Sequence, residues 1–321
     1  MKVFITRRIP ESGINLLKKH HMVTVSKKDR VLSKQEIIDQ AADVDGLLCL
    51  LTDTIDEEVI SSLPNLKMIA NYAVGYNNID VSYATKKKIP VSNTPDVLTD
   101  TTAELAWALI FAVARRIVEA DSFSREGKYE GWGPMLLLGE DITKKTLGII
   151  GAGRIGTAMA LKSKGFDMNI LYVDNQKNER LESELGAQKT NLRDLLKKSD
   201  IISLHVPLTD KTRHLIGKEE LDSMKKTTII VNTSRGPVID EKALINALKD
   251  ENIFGAGLDV YEHEPKIPKE FKLLDNIVIL PHVGSATKDT RSNMSMMAAE
   301  NMIAGLNEEK PPNCVNPEVF G

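Results

Sequence analysis

The chain has 321 residues, of which 42% are hydrophobic and 27% charged, with a formal net charge of −3. This balance is typical of a soluble globular protein, and the length favours two domains over one. The charge lacks the basic excess that binding to nucleic acid demands. The apolar runs are too short to indicate a membrane span, and Cys49 and Cys314 are too far apart in the sequence to indicate a disulfide framework or a metal site.

The first hundred residues predict a repeating βα unit. Residues 1–6 contain no long apolar region with a cleavage site, so they indicate a first strand rather than a signal peptide, and we expect a cytoplasmic protein. Apolar runs that alternate with amphipathic stretches predict strands at 2–6, 22–25, 46–51 and 67–70 and helices at 11–20, 33–41 and 56–63. The continuous apolar run at 47–51 favours a parallel sheet that is buried on both faces.

The alternation changes near Asn93-Thr94-Pro95. Residues 99 to 126 predict one long helix, since Leu105, Leu109 and Val113 recur at helical spacing. A second series of strands is then predicted at 146–150, 168–173, 200–204, 228–232, 255–259 and 276–280. Six strands are the number in a complete Rossmann sheet made of two mononucleotide-binding halves.

A helix at 287–306 and a proline-rich tail follow the last predicted strand. Because no strand remains to be paired in the second domain, we expect this segment to return to the first domain and cover it. The first predicted domain is therefore discontinuous and consists of residues 1–97 with 287–321, and the second consists of residues 98–286.

A glycine-rich turn follows the strand predicted at 146–150, with the sequence Gly151-Ala152-Gly153-Arg154-Ile155-Gly156. Between a strand and a helix this spacing is typical of dinucleotide binding. The first glycine permits the turn, the second lets the backbone approach the pyrophosphate, and the third lets helix and strand pack closely. The helix N-terminus attracts the phosphates, and Arg154 either adds a charge-assisted contact or is simply exposed to solvent.

Asp174 ends the next predicted strand. An acid at this position accepts hydrogen bonds from the adenosine ribose and repels a 2′-phosphate, so we expect NAD rather than NADP. Lys177 and Arg180 lie nearby and soften this preference. The alternative interpretation is that Asp174 caps a helix ahead of Glu179.

Polar residues follow the carboxyl ends of the later strands, which is where ligands bind in an open parallel sheet. Hydride transfer to a keto acid needs a cation that anchors the carboxylate and an acid that delivers a proton. Arg235 offers a planar fork for a carboxylate, and His282 is a residue type that titrates near neutral pH. Glu262 and Glu264 are both candidates for a partner of the histidine, and spacing does not choose between them. The alternative interpretation of Arg235 is a surface ion pair. For His282 it is a hydrogen-bonded loop histidine, and for Glu262 and Glu264 it is a solvated loop.

At these residues the chain resembles the D-isomer-specific 2-hydroxyacid dehydrogenases, most closely the glyoxylate/hydroxypyruvate reductases (D-glycerate dehydrogenases). The similar stretches span nearly the whole chain and are 71–80, 93–106, 151–156, 232–236, 257–261 and 281–285. The resemblance implies an α/β fold, with a Rossmann-type doubly wound parallel sheet plus a smaller flavodoxin-like substrate domain. Residues 98–286 would form the dinucleotide-binding domain, and residues 1–97 with 287–321 the substrate domain. It also implies a homodimer formed through the cofactor domains, and a small 2-keto or 2-hydroxy acid as substrate.

The resemblance further implies that Arg235 anchors the substrate, that His282 is the acid/base and that Glu264 is its partner. Backbone N–H groups of Val74 and Gly75 would hold the substrate carboxylate, although the residues alone favour a simple turn there. The other cofactor contacts that it implies are Thr102, Val206, Pro207, Thr212, Thr233, Ser234, Asp259 and Gly284. Trp132 resembles a tryptophan that reaches a neighbouring subunit's active site, and a buried core tryptophan explains it equally well.

The predicted function is reduction of glyoxylate or hydroxypyruvate to the D-2-hydroxy acid with NADH. Many glyoxylate reductases carry a Ser-Arg-Thr type sequence for NADPH where this chain has Asp174-Asn175-Gln176, so NADP is retained as an alternative cofactor. The alternative substrates are those of the related lactate, phosphite, formate and phosphoglycerate dehydrogenases. The absence of a regulatory domain after residue 321 argues against the long form of phosphoglycerate dehydrogenase. A non-enzymatic, NAD-sensing corepressor-like protein is the alternative from another class.

Overall fold

The computed structural model describes all residues, 1–321, and divides into two compact units. Unit 1 consists of Met1–Leu98 together with Ser285–Gly321, and unit 2 consists of Thr99–Gly284. Neither unit contains a helix with the length and apolar character needed to cross a membrane.

Unit 1 is built on a five-stranded parallel sheet. Its strands are β1 (Lys2–Ile5), β2 (Met22–Val25), β3 (Gly46–Leu50), β4 (Met68–Tyr72) and β5 (Val91–Ser92), in the order β2-β1-β3-β4-β5. Its first helices are α1 (Glu11–Lys18), α2 (Lys34–Ala41), α3 (Glu57–Ser61) and α4 (Val81–Lys86). The strand order is that of flavodoxin-like folds, and the apolar β3 and β4 are buried almost throughout. The predicted fold class of the smaller domain is thereby confirmed.

Unit 2 begins with two helices where one was predicted. Helix α5 (Thr99–Ala114) ends before α6 (Ile117–Arg125), and Arg116 between them is in the left-handed region with φ of 50°. The carbonyl of Ala114 accepts a hydrogen bond from the N–H of Glu140 at 2.9 Å instead of continuing the helix. The prediction of one long helix is therefore wrong, because a distant segment takes the carbonyl that the next turn would need.

A seven-stranded parallel sheet forms the centre of unit 2. Its strands are β6 (Thr146–Ile150), β7 (Asn169–Val173), β8 (Gln188–Lys189), β9 (Ile201–Leu204), β10 (Ile229–Asn232), β11 (Gly255–Leu258) and β12 (Ile277–Ile279), in the order β12-β11-β10-β9-β6-β7-β8. The helices between them are α7 (Arg154–Leu161), α8 (Glu179–Leu185), α9 (Leu192–Lys198), α10 (Lys218–Asp222) and α11 (Glu241–Lys249). The strand order reverses beside β6, so this is a Rossmann sheet with its switch point at the first strand of the unit.

The prediction of six strands missed β8. This two-residue edge strand consists of exposed Gln188 and Lys189, so it lacks the apolar run that marks the other strands. The apolar residues of β6 serve both faces of the sheet: Leu147 and Ile149 pack in a core with α5, whereas Ile150 belongs to a core on the other side. Burial on both faces explains why these strands read as continuous apolar runs.

The chain returns to unit 1 through the long helix α12 (Lys288–Leu306), which packs against α1 and β4. The N–H of Gly13 in α1 donates to Ser295 Oγ in α12 at 3.1 Å, so the two helices approach closely. Beyond α12, the N–H of Val315 donates to the carbonyl of Val91 in β5 at 2.8 Å. The C-terminal segment therefore covers the N-terminal sheet.

Candidate functional site

The glycine-rich turn lies at the carboxyl end of β6. Gly151 has φ of +93°, which favours glycine, and a Cβ added to Gly156 would lie 2.0 Å from the carbonyl oxygen of Gly151. At Gly153 an added Cβ would meet nothing within 4 Å, so the space beside this residue is open. Arg154 begins α7 and is exposed, and Ile155 beside it is half-buried. The turn thus presents open backbone and a helix N-terminus to a phosphate group.

A cavity of about 450 Å³ lies next to this turn and includes Asp174 at its wall. The Asp174 carboxylate accepts the N–H of Ala152 at 2.8 Å and the N–H of Gln176 at 3.1 Å. Asn178, and not Asp174, caps α8 by accepting the N–H of Leu181 at 3.0 Å, so the interpretation of Asp174 as a helix cap is wrong. Its position at the wall of the cavity suits a ribose-binding acid.

Two cationic side chains that follow Asp174 in the sequence form ion pairs with glutamates of α8. Lys177 lies 3.0 Å from Glu182, and Arg180 lies 2.8 Å from Glu184. Both pairs are exposed to solvent and therefore contribute little to stability. They nevertheless provide each cation with an anion, which reduces the positive charge available to a 2′-phosphate.

The other predicted cofactor residues of unit 2 lie at two places. Val206, Pro207 and Thr212 follow β9, where Thr212 Oγ1 donates to the carbonyl of Pro207 at 2.6 Å and so holds this loop as a turn. Thr233 and Ser234 follow β10, and the buried Thr233 hydroxyl has no hydrogen-bond partner. An unpaired buried hydroxyl at the carboxyl end of a strand in the Rossmann sheet fits a bound polar ligand, and a dinucleotide fits these residues.

His282 and Glu264 form a hydrogen-bonded pair after β12 and β11. His282 Nδ1 lies 2.8 Å from Glu264 Oε2, and the two side chains are 26% and 27% exposed. Burial by itself would raise the pKa of Glu264, but the His282 hydrogen bond and charge, the Tyr261 N–H and Arg235 outweigh burial and lower it. An ionised carboxylate only accepts hydrogen bonds, so Nδ1 carries a proton and Nε2 is the nitrogen left for proton exchange.

Glu262 is placed elsewhere. Its Oε1 accepts the N–H of Glu241 at 2.9 Å and lies 3.2 Å from His214 Nε2, while the N–H of Glu262 donates to Glu241 Oε1 at 2.8 Å. The two glutamates therefore differ in partner: one binds the start of α11, and the other binds His282. Geometry thus makes the choice that spacing left open.

Arg235 lies at the carboxyl end of β10, in the same unit as this pair. The Arg235 carbonyl accepts a hydrogen bond from Asn232 Nδ2 at 2.9 Å, which fixes the backbone at the strand end. Burial lowers the pKa of the Arg235 guanidinium, whereas the charge of Glu264 raises it. The half-buried cation is therefore close enough to act electrostatically on the partner of His282.

Asp259 supports the loop that carries His282. It is 1% exposed, and its carboxylate accepts the N–H groups of Val283 at 2.7 Å and Gly284 at 2.8 Å. Burial raises the pKa of Asp259, although these N–H groups and His282 oppose the rise. His282 itself has φ of 56°, a conformation that costs free energy and that these backbone bonds stabilise. Gly284 also lies close to Thr102, since an added Cβ would be 3.5 Å from the Thr102 methyl group.

Val74 and Gly75 lie in unit 1, in the partly exposed loop after β4. The side chain of Asn93 donates to the carbonyl of Val74 at 2.7 Å, and that of Asn71 donates to the carbonyl of Gly75 at 2.8 Å. The simple-turn interpretation overlooked both amides. Asn71 and Asn93 are the first residues of stretches 71–80 and 93–106, but nothing local in the sequence indicates that they contact this loop.

Trp132 lies between α6 and β6 and is 83% exposed. The interpretation as a buried core tryptophan is therefore wrong. Other large apolar side chains of this region are also exposed, namely Tyr129, Met135, Leu136 and Leu138. An exposed apolar group of this size is typical of an interaction surface.

The turn, the acid at the cavity wall and the histidine–carboxylate pair together define an oxidoreductase that uses a nicotinamide dinucleotide. Residues 107–284 match the family model described as the NAD-binding domain of D-isomer-specific 2-hydroxyacid dehydrogenases. The chain belongs to this family. The expected enzyme class, acting on CH–OH donors with NAD(P), is confirmed, and the corepressor-like alternative is set aside.

Similar proteins cover the whole chain. A glyoxylate reductase of Korarchaeum cryptofilum is 53% identical over 320 residues, which are 99% of this chain and 96% of that protein. A Thermus thermophilus protein of known crystal structure has a TM-score of 0.92 at 40% identity, covering 98% of this chain and 100% of that one. An NADPH-dependent glyoxylate/hydroxypyruvate reductase of Sinorhizobium meliloti, crystallised with NADP and malonate, has a TM-score of 0.88 at 29% identity, covering 99% and 98%.

Proposed function

We propose that this chain reduces glyoxylate or hydroxypyruvate to the D-2-hydroxy acid with NADH. The observation that carries the proposal is the 2.8 Å bond between His282 and Glu264, in the same unit as the half-buried Arg235. This combination supplies a cation for a carboxylate and an acid whose proton is held in a defined position. The substrate follows the relatives, among which a 53% identical protein is a glyoxylate reductase.

Each of the three side chains has one role in this reaction. The Arg235 guanidinium anchors the substrate carboxylate and polarises the keto group. The bound reduced nicotinamide supplies the hydride. His282 donates its Nε2 proton to the oxygen on which negative charge develops, because Nδ1 is engaged by Glu264. Glu264 stabilises the charged imidazole before the proton leaves, and the former keto oxygen becomes the neutral hydroxyl group of the 2-hydroxy acid.

The dinucleotide would be held by the glycine turn 151–156, Asp174 and the polar residues after β9 and β10. Thr233 offers the buried hydroxyl that lacks a partner, and Asp259 and Gly284 support the loop after β12. We assign NADH as the preferred cofactor, since Asp174 faces the cavity and the nearby cations are paired with glutamates. NADP remains the weaker alternative.

The two units take separate roles in this proposal. Unit 2 is the dinucleotide-binding domain, because it contains the glycine turn and the Rossmann sheet. Unit 1 is the substrate domain, in which the N–H groups of Val74 and Gly75 bind the substrate carboxylate. Under this assignment, the purified chain should not oxidise NADH when no keto acid is present.

We also assign a homodimer to this protein. The exposed apolar group around Trp132 supports contact with a second copy through unit 2, since burial of such side chains stabilises an interface. Light scattering on the purified protein and on Trp132→Ala tests this: a monomeric wild-type chain would contradict it. The cytoplasmic location expected from the sequence stays a prediction.

Steady-state kinetics test the function directly. Glyoxylate, hydroxypyruvate, pyruvate and phosphohydroxypyruvate are each offered with NADH and with NADPH, and consumption of the reduced cofactor is followed. We expect the highest kcat/KM for glyoxylate or hydroxypyruvate with NADH. A preference for pyruvate or phosphohydroxypyruvate would replace the proposed substrate, and no turnover with any keto acid would refute the reaction.

A further inference from the structure

We propose that three buried asparagines, Asn71, Asn93 and Asn301, are positioning residues that orient the Val74–Gly75 backbone for a carboxylate. The inference rests on the proposed role of this backbone in substrate binding and adds the residues that set its geometry. Asn71 and Asn301 are completely buried, and Asn93 is 9% exposed. Burial of an amide costs free energy unless the amide is hydrogen-bonded. The hydrogen bonds of these three side chains connect, directly or through one another, to the loop that contains Val74 and Gly75.

The carbonyls of three successive peptide groups in this loop are held by donors from the same side chains or their neighbours. The carbonyl of Ala73 accepts the N–H of Thr94 at 2.8 Å. Asn93 Nδ2 donates to the carbonyl of Val74 at 2.7 Å, and Asn71 Nδ2 donates to that of Gly75 at 2.8 Å. Each of these three peptide groups is therefore fixed in rotation by a hydrogen bond.

The fixed carbonyls determine where the N–H groups point. In a trans peptide the C=O and the N–H point in opposite directions, so the N–H groups of Val74, Gly75 and Tyr76 are directed away from the donors that hold the carbonyls. None of these three N–H groups donates a backbone hydrogen bond within the chain. Successive free N–H groups form a concave site for an anion, and a carboxylate offers two oxygens to it.

Asn301 connects this loop to the C-terminal helix α12. Its Nδ2 donates to the carbonyl of Asn93 at 3.1 Å, and its Oδ1 accepts the N–H of Asn313 at 2.9 Å. The N–H of Asn93 in turn donates to the carbonyl of Asn313 at 3.3 Å. Both backbone groups of Asn93 are thus fixed by the C-terminal segment, and this places the Asn93 amide against Val74.

The test compares Asn93→Asp with a matched control, Asn316→Asp. The Asn93→Asp side chain would keep its size but lose the donor to Val74. Asn316 is also completely buried in unit 1, where its Oδ1 accepts the N–H of Val91 at 2.7 Å and its Nδ2 donates to Ile89 and Thr85. It makes no hydrogen bond to residues 73–76. Both variants lose a buried amide donor, but only one loses a contact with the loop.

The readouts are the KM for glyoxylate, kcat, the Kd for NADH, and the Kd for oxamate measured by calorimetry. For Asn93→Asp we expect the glyoxylate KM and the oxamate Kd to rise roughly ten- to a hundredfold, as for one or two lost hydrogen bonds to an anion, with the NADH Kd unchanged and kcat affected less. Asn316→Asp should lower the melting temperature and leave both values as in the wild type. Asn301 contacts the loop only through Asn93, so Asn301→Asp should raise the same two values but less strongly. This variant is used in place of Asn93→Asp if Asn93→Asp does not fold.

Equal effects of Asn93→Asp and Asn316→Asp on oxamate binding would overturn the proposal, as would unchanged binding in Asn93→Asp and Asn301→Asp. Oxamate binding needs no turnover, so this test is separate from that of the reaction. A wild-type chain that binds oxamate but reduces no keto acid would refute the proposed function alone. A wild-type chain that does not bind oxamate would refute the carboxylate site and the positioning role together.

Discussion

Replacement of Glu264 by glutamine removes the negative charge beside His282 and preserves the shape of the side chain. The glutamine oxygen still accepts the Nδ1 proton across the present distance of 2.8 Å, so the orientation of the imidazole should be retained. What is lost is the attraction between a carboxylate and a charged imidazole. The variant therefore separates the charge of Glu264 from its geometry.

The size of this effect follows from the environment of the pair. A hydrogen bond to a charged group contributes about 1.5–3 kcal/mol, and the lower part of this range applies because both side chains are about one quarter exposed. Since about 1.4 kcal/mol corresponds to a factor of ten in rate, Glu264→Gln should lower kcat/KM for glyoxylate roughly tenfold, because reduction needs the charged imidazole that the carboxylate stabilises.

The assay is kcat/KM for glyoxylate at saturating NADH and a fixed neutral pH, with Glu262→Gln as the control. Glu262 lies two positions away in the same loop, but it binds the Glu241 N–H and not His282. We expect the kcat/KM of this control to match that of the wild type. An unchanged kcat/KM in Glu264→Gln, or an equal loss in both variants, would refute the assignment of Glu264 as the partner.

Three further predictions concern the acid, the cofactor and the acid stability. His282→Gln should lower kcat by about 10²–10⁴-fold, the usual contribution of a general acid, with the NADH Kd retained; an unchanged rate would remove His282 from the role. Asp174→Ala should weaken NADH binding about tenfold and bring the NADH and NADPH affinities closer, which titration checks, and an unchanged NADH/NADPH ratio would contradict it. Burial lowers the pKa of His205 to about 4, so this side chain stays neutral in the folded chain while the unfolded chain takes up a proton below about pH 6.5. Between about pH 6.5 and pH 4, the free energy of unfolding should therefore fall by about 3 kcal/mol more in the wild type than in His205→Gln. Urea denaturation measures this, and an equal fall in the two proteins would contradict the prediction.

Much of the fold could be predicted because its signals are local. Strands buried on both faces appear as uninterrupted apolar runs, so β3, β6, β9 and β10 were predicted within two residues of their ends. The glycine turn and Asp174 could likewise be recognised, since a strand, a tight turn and a helix N-terminus are adjacent in the chain. Arg235 and His282 were found because ligands bind at the carboxyl ends of parallel strands.

The tertiary structure decided whatever depends on contacts between distant residues. Glu262 and Glu264 are nearly equivalent in the sequence, and only the loop that carries His282, 18 residues from Glu264, distinguishes them. The end of α5 depends on a carbonyl taken by Glu140, and β8 depends on pairing with β7 rather than on its own polar residues. Asn301 lies 208 residues from the Asn93 carbonyl that it holds. The sequence alone therefore determined the buried strands, the cofactor turn and the reactive residue types. Their partners were decided by folding, because hydrogen bonds between distant segments leave no periodic signal in the chain.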